Sequence, residues 1–546
     1  MDSYDFDHNV QKKFNESFSD IGTINWKCWL EISSREEYEE LSLKLSGLSS
    51  FENIFKSIKT EMTDSRNFSV DIENLLNNFQ EPGSPVFCHT SGTTNSNLSM
   101  LKWFHMTKNI VKRLWVPGMQ AIFESSGLDS NSSAVIFVPT RLKFDGIRLH
   151  EDNSYISLYS SEFSQRIMLS VIKPKSYLFY EYKNSRNLEV ISKILTMDDI
   201  SVISAPALTV LGWANINRLQ EGIRRSLDLI GNTQNPELGK LLQKIEKYGI
   251  LKFSKKIQNE LSEKLAGATL VFSISSLSES NWELIRKFMK WDRGKEKFTN
   301  LYVASEIGPF AASIKEKFVN EPMSNSMYIF PLTIPVIEFK GQKKLISRTK
   351  NKLGKLYVSR LNNSEALINI DIGDVISIKN QEGLPQIDGK ILRSKFQIKY
   401  PIEISREIGI QSNYTVYAGD FFTFPKFEIY YPRFLLNCLK KNCDLDIDSL
   451  LLVVNKESVN NYLKLFLYSD DQKNCSSLKN YSKILVKCIK NEKFKEAILN
   501  HDIEIELIKS NPIDFLKTRS KMLENVRNGK TPKGVLKKWP LYVLET

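Results

Sequence analysis

The sequence predicts an α/β fold, and three stretches predict it. Ser133–Thr140 (SAVIFVPT), Asp198–Pro206 (DDISVISAP) and Gly267–Ser273 (GATLVFS) are short apolar runs rich in β-branched residues. Runs of that length and composition read as buried strands. The third runs into a small-residue loop at Ser273–Ser276 and then an amphipathic helix from about Ser280. Strand, loop and helix repeated over a few hundred residues imply a sheet with a large parallel part, with ligand-binding loops at the carboxyl ends of its strands. At 546 residues the chain exceeds one ordinary core, so two or more domains are expected.

Taken in order, residues 1 to about 80 place charged and apolar residues at helical spacing, as in REEYEELSLKLSGLSSFENIFKSI, and read as a helical N-terminal region. The following core spans residues 81–392. In it LKWFHMTKNIVKRLWVPGMQAIF reads as a strand and a helix, with His105 as a structural residue. Residues 232–267 are polar and helical, an inserted helical pair. Residues 393–546 carry a cysteine-bearing helix, strands at LLLVVNK, YLKLFLYS and IEIELIKS, and a helix over YSKILVKCIKN, which predict a small α+β C-terminal domain.

Composition narrows the functional classes. Hydrophobic residues at 41% and charged residues at 25% are ordinary for a soluble globular protein. No apolar run approaches the ~20 residues that span a bilayer. The first residues, MDSYDFDHNV, lack the basic and apolar parts of a secretory signal. Six scattered cysteines indicate neither a zinc site nor a disulfide framework, and a reducing cytoplasm is the expected compartment. Lysine and arginine number 75 against 63 acidic residues, a net +12 that suits an anionic partner. The lysines are dispersed, without a basic block or RNP-like strand, so the pattern does not point to nucleic acid.

Four motifs carry chemistry. The first is HTSGTTNSNLS, His89–Ser99, which follows the apolar GSPVFC. Backbone N–H groups and the hydroxyls of Thr90, Ser91, Thr93 and Thr94 can converge on phosphate oxygens, and Gly92 lets the backbone approach closely. The same composition also suits a plain surface loop. The second is NLYVASEIGPF, in which a strand leads to Ser305, Glu306 and a Gly-Pro turn. A carboxylate there can hold Mg²⁺, or merely cap a turn. The third is KLGKLYVSRLNNSEALINIDIGDVISI, where Gly373 presents Asp374 as an acceptor for two hydroxyls, followed by EGLPQIDGK and its Lys390. The fourth is RNGKTPKGVLKKWPLY, with Lys533 and Lys537.

In this order the motifs resemble the signatures of the adenylate-forming superfamily, which includes acyl-CoA synthetases, adenylation domains and luciferases. TSGTT is similar to its phosphate loop, although Asn95, Ser96, Asn97 and Leu98 stand where Gly-x-Pro-Lys usually continues. ASEIGP resembles the phenylacetate–CoA ligase and capsule-biosynthesis branch, with Val303 or Ala304 in place of a glycine. The step from Asp374 to Lys390, 390 − 374 = 16 residues, is close to the family's, with lysine where arginine is usual. The last motif resembles the run that presents the adenylation lysine, with Lys533 before Gly534 and Lys537 three residues after it.

The resemblance implies a large adenylate-forming domain of mixed sheets and helices with a small mobile α+β domain behind it. It implies ATP and Mg²⁺, with Thr90, Ser91, Gly92, Thr93, Thr94, Ser305, Glu306, Asp374 and Lys390 at the nucleotide, Glu306 on the metal, and Lys533 or Lys537 catalytic. A carboxylic acid would become acyl-AMP and pass to a thiol, CoA or a carrier protein. YIFPLTIPVIEF, Tyr328–Phe339, is more loosely similar to acyl-acid amido synthetases and leaves an amine acceptor open. A degenerate member that binds nucleotide or a partner without turnover is also open, because the loop lysine is missing, Lys390 stands where arginine is usual, and the residues of the last signature are out of order.

Overall fold

A computed structural model describes residues 11–12, 15–16, 25–35, 86–89, 103–106, 108–138, 156–230, 243, 245–273, 279–314, 326–331, 333–339, 341–346, 353–362, 365–381, 384–387, 391–398, 400–410, 414–443, 449–454, 463–468, 478–508, 511–527 and 538–546. Of the helical N-terminal region, the helix α1 (Trp26–Arg35) is described. The greater part of residues 1–80, and residues 232–242 and 244 of the expected helical pair, lie outside the described residues.

Strands β1 (Val86–His89) and β2 (Trp103–His105) flank the hydroxyl-rich loop and pair antiparallel. After them a helical run ends in α2 (Val116–Glu124), entered through a π-helical turn at Val111–Trp115. The main sheet begins with β3 (Ser133–Val138). Next come β4 (Ile156–Tyr159), which joins β1, and the helix α3 (Ser160–Ile172). The strands β5 (Ser176–Glu181), β6 (Ile200–Ser204), β7 (Thr269–Ser273) and β8 (Phe298–Ala304) join β3 in the order β5-β3-β6-β7-β8, all parallel. The α/β expectation is met: the three apolar runs are β3, β6 and β7, and the strand expected before Ser305 is β8.

Alternation along β3 shows why the sheet is covered on both faces. Ala134, Ile136 and Val138 face a core that includes Met119, Phe123, Phe163 and Ile167 of α2 and α3. Val135 and Phe137 face the other, built on α4 (Leu188–Thr196), α5 (Ala207–Ala214), α6 (Ile216–Ile230), α7 (Ile250–Lys264) and α8 (Glu279–Phe288). A parallel sheet buried on both sides needs apolar residues at every position, and β3 is buried throughout.

Beyond β8 the sheet turns antiparallel, a half that the sequence reading had not resolved into strands. β9 (Gly308–Ala312) returns along β8, followed by β10 (Met327–Ile329), β11 (Thr333–Phe339), β12 (Gln342–Leu345), β13 (Leu353–Asn362), β14 (Glu365–Gln381) and β15 (Leu384–Ile387). The short β16 (Leu392–Arg393) pairs with β14 and brings the sheet to 13 strands.

Three residues later the chain enters a second sheet at β17 (Phe396–Gln397). It continues through β18 (Thr415–Ala418), the hairpin β19 (Phe421–Thr423) and β20 (Glu428–Tyr430), β21 (Leu450–Val454), β22 (Leu463–Tyr468), β23 (Ile503–Ile508) and β24 (Leu541–Glu545). The six-stranded order is β17-β18-β24-β21-β22-β23. Helices α9 (Pro432–Cys443), α10 (Leu478–Cys488) and α11 (Glu492–Leu499) lie against one core, and α12 (Phe515–Arg527) contributes to another. One expectation is corrected. Cys438 of α9 and Cys488 of α10, 50 residues apart in sequence, are joined as a disulfide.

The last strand is central, between β18 and β21, and Tyr542, Val543 and Leu544 are fully buried. Deleting residues 541–546 should therefore split the small sheet. Limited proteolysis is expected to cut the truncated protein rapidly within residues 398–540 and to spare the large sheet; unchanged protection would show that β24 is dispensable.

Candidate nucleotide site

The Ser305–Glu306 pair lies where β8 hands over to β9. The amide of Ile307 donates to the Ala304 carbonyl at 3.2 Å and closes the turn. Gly308 and Pro309 belong to the returning strand rather than to the turn itself. The small residue is required there: Gly308 has φ +97°, and a β-carbon on it would stand 3.3 Å from the Trp115 indole. One helical turn on, a β-carbon on Gly118 would meet Pro309 at 2.8 Å. The helix that carries Trp115 and Gly118 thus presses directly on this hairpin. Ser305 is buried and Glu306 half-buried.

Asp374 reaches the same place from a different segment. The glycine that presents Asp374 lies in a bulge inside the 17-residue β14. Lys355 pairs with Val375 and Tyr357 with Asp371, so β13 advances 357 − 355 = 2 residues while β14 advances 375 − 371 = 4. The two extra residues bend the strand and aim a side chain out of the ladder. Gly373 takes φ +74° within the bulge, and its amide donates to Asp371 Oδ1 at 2.8 Å.

Both oxygens of Asp374 are engaged. Tyr302, from β8, donates its hydroxyl to Oδ2 at 2.6 Å. Arg393 stands opposite Asp374 in the β14–β16 ladder and donates through Nη1 to Oδ1 at 3.1 Å and to the Ile372 carbonyl at 2.7 Å. Burial first, then the Asp374 carboxylate, pushes the Tyr302 phenol well above its ordinary value, so it remains a neutral donor. Burial opposes the Arg393 cation, but Asp374, with help from Tyr302 and Glu306, outweighs it and raises its pKa. Glu306 therefore acts electrostatically on both Tyr302 and Arg393.

The bulge glycine has a second reason to be there. A β-carbon on Gly373 would fall 2.8 Å from the Arg393 guanidinium, which packs on the bare backbone. Gly373→Ala combines a positive φ with that clash and should cost about 1–2 kcal/mol of stability. Urea unfolding would measure it; a change below about 0.5 kcal/mol would remove Gly373 from this role.

The structure thus brings Ser305, Glu306 and Asp374 together. Thr90, Ser91, Gly92, Thr93, Thr94, Lys390, Lys533 and Lys537 lie outside the described residues. His89, directly before the hydroxyl loop, ends β1 opposite Trp103 and Tyr159. His105, expected to be structural, sits in β2 opposite Phe87. Tyr302 and Arg393 were not singled out from the sequence. Arg393 had one signal, as a second cation three residues beyond Lys390, but only the register sets it against Asp374.

Among the described residues no group of three His, Cys, Asp or Glu side chains could hold a metal ion. Glu306 and Ser305 offer oxygen donors alone, which fits Mg²⁺ where substrate oxygens complete its shell. No helix among the described residues is long and apolar enough to cross a membrane.

No family model matches the sequence. No curated protein matches it either. Among solved structures the chain is similar to a 2-hydroxyisobutyryl-CoA ligase in complex with 2-HIB-AMP and CoA, with 12% identity, 93% of this chain and 88% of that one covered, and a TM-score of 0.48. An acyl acid amido synthetase in complex with 2,4-DB gives 16% identity, 98% and 95% coverage, and a TM-score of 0.47. The amide bond synthetase McbA from Marinactinospora thermotolerans gives 11%, 74% and 65%, and a TM-score of 0.34. All three are ligases or synthetases by name.

Proposed function

We propose that this protein is an ATP-dependent, adenylate-forming ligase that activates a carboxylic acid as acyl-AMP, with its core in residues 81–392 and a small domain in residues 393–546. The observation that carries the reading is the meeting of Asp374, Tyr302 and Arg393 with the Ser305–Glu306 turn. A carboxylate held by a phenol and a guanidinium, with the Glu306 carboxylate acting electrostatically on both donors, suits a nucleotide. Asp374 retains lone pairs for ribose hydroxyls, since a carboxylate offers about four acceptor positions and two are used by Tyr302 and Arg393.

In this reaction an oxygen of the acid attacks the α-phosphorus of ATP, and the bond to pyrophosphate breaks. Asp374 orients the nucleotide, Arg393 holds Asp374, and the Thr90–Thr94 hydroxyls and Gly92 receive phosphate. Lys390 supplies a further cation near the ribose. Glu306 is the residue that would hold Mg²⁺, which neutralises charge on phosphate oxygens when bound. Lys533 or Lys537 adds positive charge where the transition state develops negative charge. An acceptor then attacks the acyl carbon and AMP leaves.

The leading acceptor is a thiol, on CoA or a carrier protein. An amine is the second reading, favoured by the likeness of Tyr328–Phe339, which forms β10 and β11, to amido synthetases. Pyrophosphate release with a panel of carboxylic acids tests the ligase reading. Adding CoA, a carrier protein or amino acids to the active pair then separates the acceptors. ATP binding without pyrophosphate release from any acid would favour a non-catalytic nucleotide-binding protein.

A further inference from the structure

We infer that Asp420, in the small sheet's half of the chain, is a positioning residue for the nucleotide site, acting through Arg393. This rests on the reading of Asp374 as the nucleotide's acceptor. Two Gly-Asp pairs hold Arg393, one by its side chain and one by its backbone. From the large sheet, Gly373–Asp374 holds its side chain, with the guanidinium packed on Gly373 and bonded to Asp374. From the other side, Gly419–Asp420 holds its backbone. The Asp420 amide donates to the Arg393 carbonyl at 2.7 Å, and the Arg393 amide donates to Asp420 Oδ2 at 3.3 Å.

The second grip depends on glycine as the first does. A β-carbon on Gly419 would stand 2.9 Å from the Ser394 carbonyl oxygen and 3.0 Å from that of Arg393. The clamp continues into both units. Ser394 donates its amide and its hydroxyl to the Gly373 carbonyl at 2.9 and 2.8 Å, and the Lys395 amide donates to Phe421 at 3.0 Å. Lys395 also pairs with Glu545 of the terminal strand and lies over the Tyr417 ring. Arg393 is thus the residue through which the small unit fixes the carboxylate of the large one. If its backbone slackens, the guanidinium leaves Gly373, and Asp374 loses one of its two donors.

Asp420→Ala removes the acceptor of the Arg393 amide, whereas Asp420→Asn keeps a side-chain carbonyl in its place. Calorimetry with ATP and magnesium chloride should show binding weakened about tenfold by Asp420→Ala, the scale of one hydrogen bond to a charged group, and within about twofold of wild type for Asp420→Asn. In the nucleotide-free protein, hydrogen exchange of the peptide covering residues 371–376 should quicken about tenfold in Asp420→Ala, a readout that needs no ligand. Wild-type affinity in Asp420→Ala overturns the inference. Equal losses in the Ala and Asn variants, tracking a lowered melting temperature, reduce Asp420 to a structural residue and overturn it too. Unmoved exchange at residues 371–376 overturns the clamp itself. Wild type that binds no ATP overturns the nucleotide reading, and the role assigned to Asp420 falls with it.

Discussion

Glu306→Gln should fold normally and lose acid-dependent exchange of pyrophosphate into ATP, by about 100-fold or more. Glu306 is the acidic residue of the β8–β9 turn, half-buried and electrostatically tied to Tyr302 and Arg393. Glutamine keeps the size and the hydrogen-bonding reach but removes the charge that a divalent cation needs. Because the turn is closed by backbone and by the pressure of Trp115 and Gly118, the neutral side chain should leave it intact. The control is the melting temperature of the variant, expected within a few degrees of wild type. Unchanged exchange would remove Glu306 from the metal and from the chemistry.

The C-terminal lysines should show a loss of similar size but of different kind. If Lys533 or Lys537 places positive charge on the reacting phosphate, its alanine variant should lose acyl-AMP formation by about 100-fold or more. The same variant should pass pre-formed acyl-AMP to its acceptor at a near-normal rate, because that step requires no pyrophosphate to leave. Lys533 stands beside Gly534, whereas Lys537 lies closer to the position that the resembled signature gives its lysine relative to Thr531-Pro532; Lys533 is the first to substitute. The segment that carries both joins α12 to the central strand β24. Normal adenylation by both single variants and by the double variant would show that this tail is not the catalytic element.

What was legible in the sequence was what short-range pattern controls. Buried parallel strands are continuous apolar runs, so β3, β6 and β7 could be read from SAVIFV, ISVIS and TLVFS. From β9 to β15 no continuous apolar run marks the strands: β10, β12 and β15 have only three or four residues, and the long β13 and β14 mix charged with apolar residues across register shifts, so half of the main sheet was not legible. Asp374 was visible because a glycine before a carboxylate is a local signal. Its bulge was not, because a bulge belongs to the pairing of two strands and only one of them is on the page at a time. Arg393 was missed for the same reason: Lys390 fits the spacing, whereas the β14–β16 register selects the cation that meets Asp374. The Cys438–Cys488 pair was also hidden, since 50 residues and the strands β21 and β22 separate two helices that only the fold brings together. In the small sheet β21, β22 and β23 were legible, because LLLVV, LKLFLY and IEIELI each carry a strand's composition, whereas β17, β18 and the central β24 were not.

The most direct test of the nucleotide site is a pair of calorimetric titrations with ATP and magnesium chloride, one on wild type and one on Asp374→Ala. Asp374 is the carboxylate on which Tyr302 and Arg393 converge, so its removal takes away the charged acceptor and strands its two donors. Wild type should bind, and the variant should lose about 2–3 kcal/mol of affinity while remaining folded. An affinity in Asp374→Ala within about twofold of wild type, a difference below about 0.5 kcal/mol, would contradict the assignment.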